Sequence, residues 1–256
     1  ESIMKFTKKQ IERYSRQIIL KKIGVVGQKK LLKASVLIVG AGGLGSPIAI
    51  YLAAAGVGSI GIVDKDNVEI SNIARQVIFS TDDVGKDKSF AAIKNLKKIN
   101  PDIKLIKFSK KLKLNNINSM AKNFDIIVDG SDNFNTRFLV NDYCLKSKKI
   151  LISGAINKFD GQVYTFNFSK KKSPCLRCFI PNKPDNADID NCEYEGVMGT
   201  LAGIVGTIQA NEVIKEILGI GNTLCGYILI INALTLTFRK VKLNKRSDCY
   251  CNDKNK

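Results

Sequence analysis

Between Ser35 and Asp66 the chain reads Ser35-Val36-Leu37-Ile38-Val39, then Gly40-Ala41-Gly42-Gly43-Leu44-Gly45, then a run of small and apolar residues to Gly58, then Ile60-Gly61-Ile62-Val63-Asp64. Two short apolar runs rich in β-branched residues read as strands, and the helix-length segment between them makes a βαβ unit. Glycines spaced G-x-G-x-x-G at the strand-to-helix turn let backbone N–H groups approach phosphate where the helix dipole favours negative charge. Ser46-Pro47 suits a first helical turn. Asp64 closes the second strand 24 positions past the first glycine, Gly40, where a carboxylate can accept from a ribose hydroxyl. Glycine-rich turns also serve packing alone, but strand, turn, helix and acid in this order select nucleotide binding. Which nucleotide, and to what end, has to come from the rest of the chain.

With 256 residues and 45% hydrophobic composition, the chain can bury one large α/β core, and residues 1–256 read as one domain. The uncharged run from Ile217 to Phe238 is interrupted by Gly219, Gly221-Asn222, Gly226 and Asn232, so two buried strands are expected there rather than a membrane helix. Lys5, Lys8, Lys9 and Glu12 stand where a secretion signal would need an apolar stretch, and a cytoplasmic location is expected. Seven cysteines, an odd number, then point to thiols, thiolate metal ligands or sulfur chemistry rather than disulfides. The net charge is +18, but the lysines are dispersed without interleaved aromatics. That pattern suits a solvated surface attracted to an acidic protein or polyphosphate better than a nucleic-acid site. The absence of histidine excludes an imidazole base and any His-ligated metal.

In order, Thr7 and Gln10 form an expected capping box before a helix with Ile11, Tyr14 and Ile18 on one face. After Asp64-Lys65-Asp66 comes a polar loop, Asn67 to Gln76, then a helix from about Asp87 stopped by Pro101. A strand is expected over Ile103–Phe108, a helix over Asn115–Asn123, and a buried strand over Asp125–Asp129. Asp132 and Asn133 follow that strand directly and are aimed at the same crevice as Gly42, since ligands of open parallel sheets bind beyond the carboxyl ends of the strands. A helix over Phe134–Lys146 and a strand over Lys149–Ser153 continue the alternation. Gly161–Phe168 alternates like an antiparallel strand, so the expected fold is an α/β Rossmann-like mixed sheet with a parallel nucleotide-binding half and antiparallel C-terminal strands. Pro181–Gly196 is acidic without apolar periodicity and reads as a surface loop of lid or crossover type. A helix over 199–218 and the final strands close the domain.

Taken together, Arg13-Tyr14-Ser15-Arg16-Gln17, the glycine turn, Asp64-x-Asp66, Ser71-Asn72-Ile73-Ala74-Arg75-Gln76, Lys88, Asp132-Asn133, Cys175-x-x-Cys178, Cys192 and Gly196-Val197-Met198-Gly199 resemble the ThiF/MoeB/HesA family, relatives of ubiquitin-activating enzymes. The resemblance covers nearly the whole chain. It implies ATP-dependent adenylation of the C-terminal glycine of a ubiquitin-like sulfur carrier, ThiS-like for thiamin or MoaD-like for molybdopterin, with ATP and Mg²⁺. Attack of a carboxylate on the α-phosphate needs positioning and cationic stabilisation, suited to Arg75 and Lys88, and no general base. Asp132 suits Mg²⁺, Asp64 the ribose, and Asp66, Ser71, Asn72 and Asn133 the polar lining. The resemblance also places Arg16 in the partner protomer's site, hence a homodimer, and Cys192 where some relatives link covalently to the carrier.

Cys175-x-x-Cys178 matches half of the family's tetrathiolate zinc site, while the second half appears as Cys249-Tyr250-Cys251, one residue short. Zn²⁺ has no d-electron geometric preference and tolerates the tighter bite if the backbone bends; two unrelated thiol pairs are the alternative. No rhodanese-like domain is attached, so a separate sulfur donor such as a cysteine desulfurase is expected. The competing readings are a nicotinamide-dependent oxidoreductase, a non-catalytic module of the same fold, and a tRNA-modifying relative acting on a threonylcarbamoyl carboxylate. Arg75, Lys88 and Asp132 have no evident role in hydride transfer, and every adenylation position is occupied.

Overall fold

The computed structural model of the chain describes residues 6–170, 173–182 and 196–252. The chain opens with α1 (Lys8–Ile18) and α2 (Gly24–Lys33), then runs β1 (Ser35–Val39), α3 (Gly45–Ala55), β2 (Ser59–Val63), α4 (Lys88–Ile99) and β3 (Lys104–Phe108). It continues through α5 (Ile117–Ala121), β4 (Ile126–Asp129), α6 (Phe134–Lys146), β5 (Ile150–Asn157), β6 (Asp160–Asn167) and α7 (Leu176–Phe179). The last described elements, labelled here α8 (Gly199–Leu218), β7 (Tyr227–Asn232) and β8 (Thr237–Lys242), complete an eight-stranded sheet in the order β3-β2-β1-β4-β5-β6-β7-β8. The strands from β3 to β5 are mutually parallel, and those from β5 to β8 pair antiparallel.

The inner parallel strands β1, β2 and β4 are almost wholly apolar because helices cover both faces, whereas the edge strand β3 exposes Lys104 and Lys107. Val36, Ile38, Ile60, Ile62 and Val128 pack with α3, α4 and α8, while Leu37, Val39, Val63 and Ile127 pack on the opposite side with α5 and α6. The chain leaves β1 and β4 toward opposite faces. A crevice therefore opens between their carboxyl ends, the topological switch point of the sheet.

The Thr7 capping box forms as expected, with Gln10 N–H donating to Thr7 Oγ1 and Thr7 N–H to Gln10 Oε1. Helix α1 docks against the far end of α3. Tyr14 is fully buried, its hydroxyl accepts from Asn100 Nδ2 at 2.9 Å, and Gln17 Nε2 donates to Ala55 O at 3.1 Å. Gly56 ends α3 with φ +84, and a Cβ there would stand 2.5 Å from the Tyr14 ring.

Three features differ from the sequence reading. Helix α2 was not expected, because Gly24, Val25, Val26 and Gly27 are weak helix formers; its buried Leu31 and its packing on α8 hold it. Strand β5 runs past Ser153 to Asn157 and turns at Lys158, with φ 51, into β6. The expected pair of buried strands over 217–238 is corrected as well: α8 extends to Leu218, β7 is partly buried, and β8 is exposed along its length. As the edge strand β8 has no outer neighbour, and Arg239, Lys240 and Lys242 give it the charge that protects such an edge. Among the described residues no helix is long and apolar enough to cross a membrane.

Substituting Gly56→Ala should destabilise the fold by about 1–3 kcal/mol for the left-handed backbone alone, and more for the Tyr14 contact. Urea unfolding would read this as a lower midpoint, whereas an unchanged midpoint would show that α1 is not clamped to α3 at this position.

Candidate active site

The glycine turn is held from two sides. Gly40 takes φ +91, and its carbonyl oxygen lies where a Cβ on Gly45 would sit, at 1.9 Å, so that neither the turn nor the start of α3 admits a side chain. From β2, Asp64 Oδ2 accepts Ala41 N–H at 2.8 Å and Oδ1 accepts Asp66 N–H at 2.9 Å. The N–H groups of Gly42, Gly43, Leu44 and Gly45 meet no acceptor among the described residues. They form an open cradle at a helix N-terminus, suited to an anion. Burial raises the Asp64 pKa above its ordinary 3.8, and the hydrogen bonds from Asp66 and Ala41 and the field of Lys88 offset part of that rise.

Two cations face this cradle. Lys88 begins α4 directly after the N-cap Asp87; it is 8% exposed, and its ammonium meets no acceptor among the described residues. Its backbone N–H donates to Asp66 O at 2.9 Å, tying α4 to the end of β2. Arg75 is half-buried, its Cγ stands 3.6 Å from the Cβ position of Gly43, and Nη1 donates to Ser71 O at 3.3 Å. Asn72 shapes the turn carrying Arg75: Oδ1 accepts Glu69 N–H, and its carbonyl accepts the N–H groups of Arg75 and Gln76. Ser71 and Asp66 are exposed beside it, Asp66 paired with Lys65. Gln76, which sequence reasoning passed over, is 3% exposed with Nε2 at 3.7 Å from the Cβ position of Gly42 and Oε1 without a partner.

The opposite wall is the turn after β4. Gly130 O lies 3.1 Å from the Cβ position of Gly40, which brings Asp132 to the crevice. The N-cap of α6 is Asn133, whose Oδ1 accepts Thr136 N–H at 2.9 Å; Asp132 is therefore not the capping residue. Asp132 is exposed, takes one bond from Asn133 Nδ2 at 3.2 Å, and its field reaches Lys65. Arg137, also missed in the sequence, donates from Nη2 to Ser131 O at 2.9 Å and leaves Nε without a partner. A shallow open cleft lies at the carboxyl end of β3, between Lys107–Lys110 and Ser119–Met120, and none of the crevice residues lines it.

A second cluster lies under α6. Cys175, Cys178, Cys249 and Cys251 bring their sulfurs within 4.8 Å of one another, with Cys175–Cys249 at 3.6 Å, Cys178–Cys251 at 3.5 Å and Cys175–Cys178 at 4.0 Å. Tetrahedral Zn–S bonds of about 2.3 Å put sulfurs about 3.8 Å apart, so the donor set fits that ion. Despite the shorter C-x-C spacing, the segment leading into the 3₁₀ turn at Tyr250–Asn252 brings both Cys249 and Cys251 to the 175–178 pair. Burial pushes Cys175 upward and Cys251 up to about 12, and a dication among the thiols reverses that preference. Arg177 ties the cluster to α6 through Asp142 at 2.7 Å and through the Phe138 ring at 4.6 Å.

Arg16 is exposed on α1, at the end of α3 opposite the glycine turn. Helix α3 spans 11 residues, about 16 Å at 1.5 Å per residue, so Arg16 does not join its own crevice. Cys192 and the acidic loop around it lie outside the described residues.

An open amide cradle, two converging cations and one free carboxylate define a nucleotide-binding α/β protein equipped to hold a polyphosphate. The chain belongs to the ThiF family, whose sequence model matches residues 14–252. It is 42% identical over 254 residues to a sulfur carrier protein adenylyltransferase of Thermus thermophilus, covering 98% of this chain and 94% of that protein. It is 46% identical over 232 residues to a probable molybdopterin-synthase adenylyltransferase of Porphyra purpurea, covering 90% of this chain but only 60% of that longer protein. The crystal structure of E. coli MccB with ATP superposes with a TM-score of 0.81 at 25% identity, over 93% of this chain and 74% of that one.

The raised pKa of Asp64 has a definite sign. The folded protein holds this proton more tightly than the unfolded chain, so the contribution to stability is full below pH 3.8 and is lost as pH rises through the folded pKa. The stability difference between wild type and Asp64→Asn should move in favour of the Asn protein across that window and then level off. Urea unfolding at a series of pH values checks this, and movement toward wild type would show that burial is not the dominant influence.

Proposed function

We propose that this chain is an ATP-dependent adenylyltransferase that activates the C-terminal glycine of a ubiquitin-like sulfur carrier of ThiS or MoaD type. The observation that carries the reading is the convergence of the open glycine-turn amides, Arg75, Lys88 and Asp132 on one crevice, in a chain without histidine. Adenylation of a carboxylate needs no general base: a carboxylate oxygen attacks the α-phosphorus, the bond to the bridging oxygen breaks, and pyrophosphate leaves with that electron pair. The turn amides hold phosphate oxygens, while Arg75 and Lys88 stabilise the negative charge that grows on them. Asp64, at the end of β2 beside the turn, is suited to accept from ribose hydroxyls, and Asp66, Ser71, Asn72 and Asn133 are its polar neighbours in this reading. Asp132 would hold Mg²⁺, which supplies charge neutralisation across the phosphates. A hydride-transfer reading gives none of these cations a task.

The active unit in this reading is a homodimer. Tyr14 and Gln17 fix α1 at the wrong end of α3 for Arg16 to serve its own crevice, and an exposed arginine so fixed is suited to reach a second copy. Cys175, Cys178, Cys249 and Cys251 hold one structural Zn²⁺, bracing the C-terminal segment against α6. Sulfur comes from a separate donor, such as a cysteine desulfurase. The cytoplasm, where ATP and reduced thiols coexist, is the compartment this chemistry suits.

Pyrophosphate exchange with a carrier ending in Gly-Gly should require ATP and Mg²⁺ and fall by about 100-fold or more in Asp132→Ala, in line with the loss of a group acting on transition-state charge. Arg16→Ala should also lose exchange, and mixed dimers of Arg16→Ala with Asp132→Ala should regain part of it. Undiminished exchange in Asp132→Ala removes the metal assignment, and failure of confirmed mixed dimers to recover removes the action across protomers. Metal analysis should find about one zinc per chain, retained less in Cys175→Ser and Cys249→Ser; folded, active protein purified without chelator and lacking zinc would overturn that site.

A further inference from the structure

Asp129, at the carboxyl end of β4, is 1% exposed and has no task in the chemistry above. Its side chain meets donors alone. Oδ1 accepts Ser131 N–H at 3.0 Å and Ser131 Oγ–H at 2.6 Å, and Oδ2 accepts Ser153 Oγ–H from β5 at 2.9 Å. Its carbonyl accepts Gln209 Nε2 from α8 at 2.9 Å. No cation pairs with it among the described residues. Burying an unpaired carboxylate is costly, and a neutral side chain with one acceptor could hold a serine hydroxyl.

The work done by these bonds is local. Ser131 is gripped through its N–H and hydroxyl by Asp129 and through its carbonyl by Arg137, while Asn133 is fixed as the N-cap of α6. Asp132 lies between these two anchored residues. It is the one residue of the turn whose carboxylate has no backbone to hold, and it is exposed toward the crevice. Resting on the adenylyltransferase reading above, we propose that Asp129 is a positioning residue that acts through Ser131 to aim Asp132 at the divalent cation that accompanies the nucleotide. Carboxylates behind a ligand typically change metal affinity by about 10- to 100-fold when removed.

Asp129→Asn keeps the shape and one acceptor oxygen, and Ser131→Ala removes the hydroxyl bond alone. Mn²⁺ titration followed by electron paramagnetic resonance, in the presence of a non-hydrolysable ATP analogue, needs no carrier and reads the cation directly. Asp129→Asn should weaken Mn²⁺ binding by about 10-fold or more and Ser131→Ala by less. Analogue affinity without metal and thermal unfolding should stay near wild type. In exchange assays kcat should fall while KM for ATP holds. Wild-type Mn²⁺ affinity in Asp129→Asn overturns the proposal, and so does a loss of metal binding that only tracks a loss of folded protein. If the wild type shows no exchange with any carrier but the Mn²⁺ series behaves as stated, the functional reading fails and the positioning role stands.

Discussion

The contact between the Gly40 carbonyl and the backbone of Gly45 governs the architecture. With no side chain at either position, α3 starts directly on the end of β1, its first N–H groups stay free, and the turn after β4 can close to 3.1 Å of Gly40's Cβ position. Three of the groups that face the crevice are referred to this close approach: Asp64 by bonding Ala41, Arg75 by packing on Gly43, and Asp132 through Gly130. A methyl group at residue 45 would separate helix from strand and displace all three together, so binding geometry and packing are one constraint here.

Much of this was legible in the chain. The βαβ unit, the parallel half, the antiparallel turnover after Gly161 and the capping box at Thr7 all follow from periodicity and turn chemistry, because burial on both faces of a sheet leaves continuous apolar runs. What was not legible depends on contacts distant in sequence. Helix α2 is held by α8 against its own propensities, and β8 lies at the edge because the sheet ends there. Asp132 and Asn133 are both good N-cap residues, and only the Asn133–Thr136 bond assigns the cap to Asn133 and leaves Asp132 free. Asp129 read simply as the end of a strand, since its partners Ser153 and Gln209 come from β5 and α8. Arg137 carried no signal, and Gln76, though inside the Ser71–Gln76 motif, was given no role because its contact with Gly42 comes from a distant segment.

The four-cysteine cluster shows how a departure in spacing is absorbed. A C-x-x-C pair normally relies on a turn of helical pitch to aim two sulfurs at one point, and α7 does that for Cys175 and Cys178. With one residue fewer, Cys249 and Cys251 flank the start of a 3₁₀ turn closed by the hydrogen bond from Asn252 N–H to Cys249 O at 2.9 Å, and both still reach the first pair. Arg177, seated between Asp142, Phe138 and the ring of Tyr250, then links the intervening residue to α6. The shortened spacing thus places Tyr250 where it joins the brace.

That brace bears on the crevice through α6. The helix is pinned near its C-terminal half by Arg177 and Asp142, and Asn141 Oδ1 accepts Leu176 N–H at 2.9 Å; at its N-terminus it carries Asn133, and one turn in, Arg137. The turn holding Asp132 is therefore strung between β4, fixed in the sheet, and a helix whose other end is fixed by the cysteine cluster. Helix α1 is treated in the opposite way, clamped where its arginine cannot serve its own crevice. One chain thus presents a cradle, two cations and a carboxylate on a braced frame, and holds Arg16 at the other end of α3.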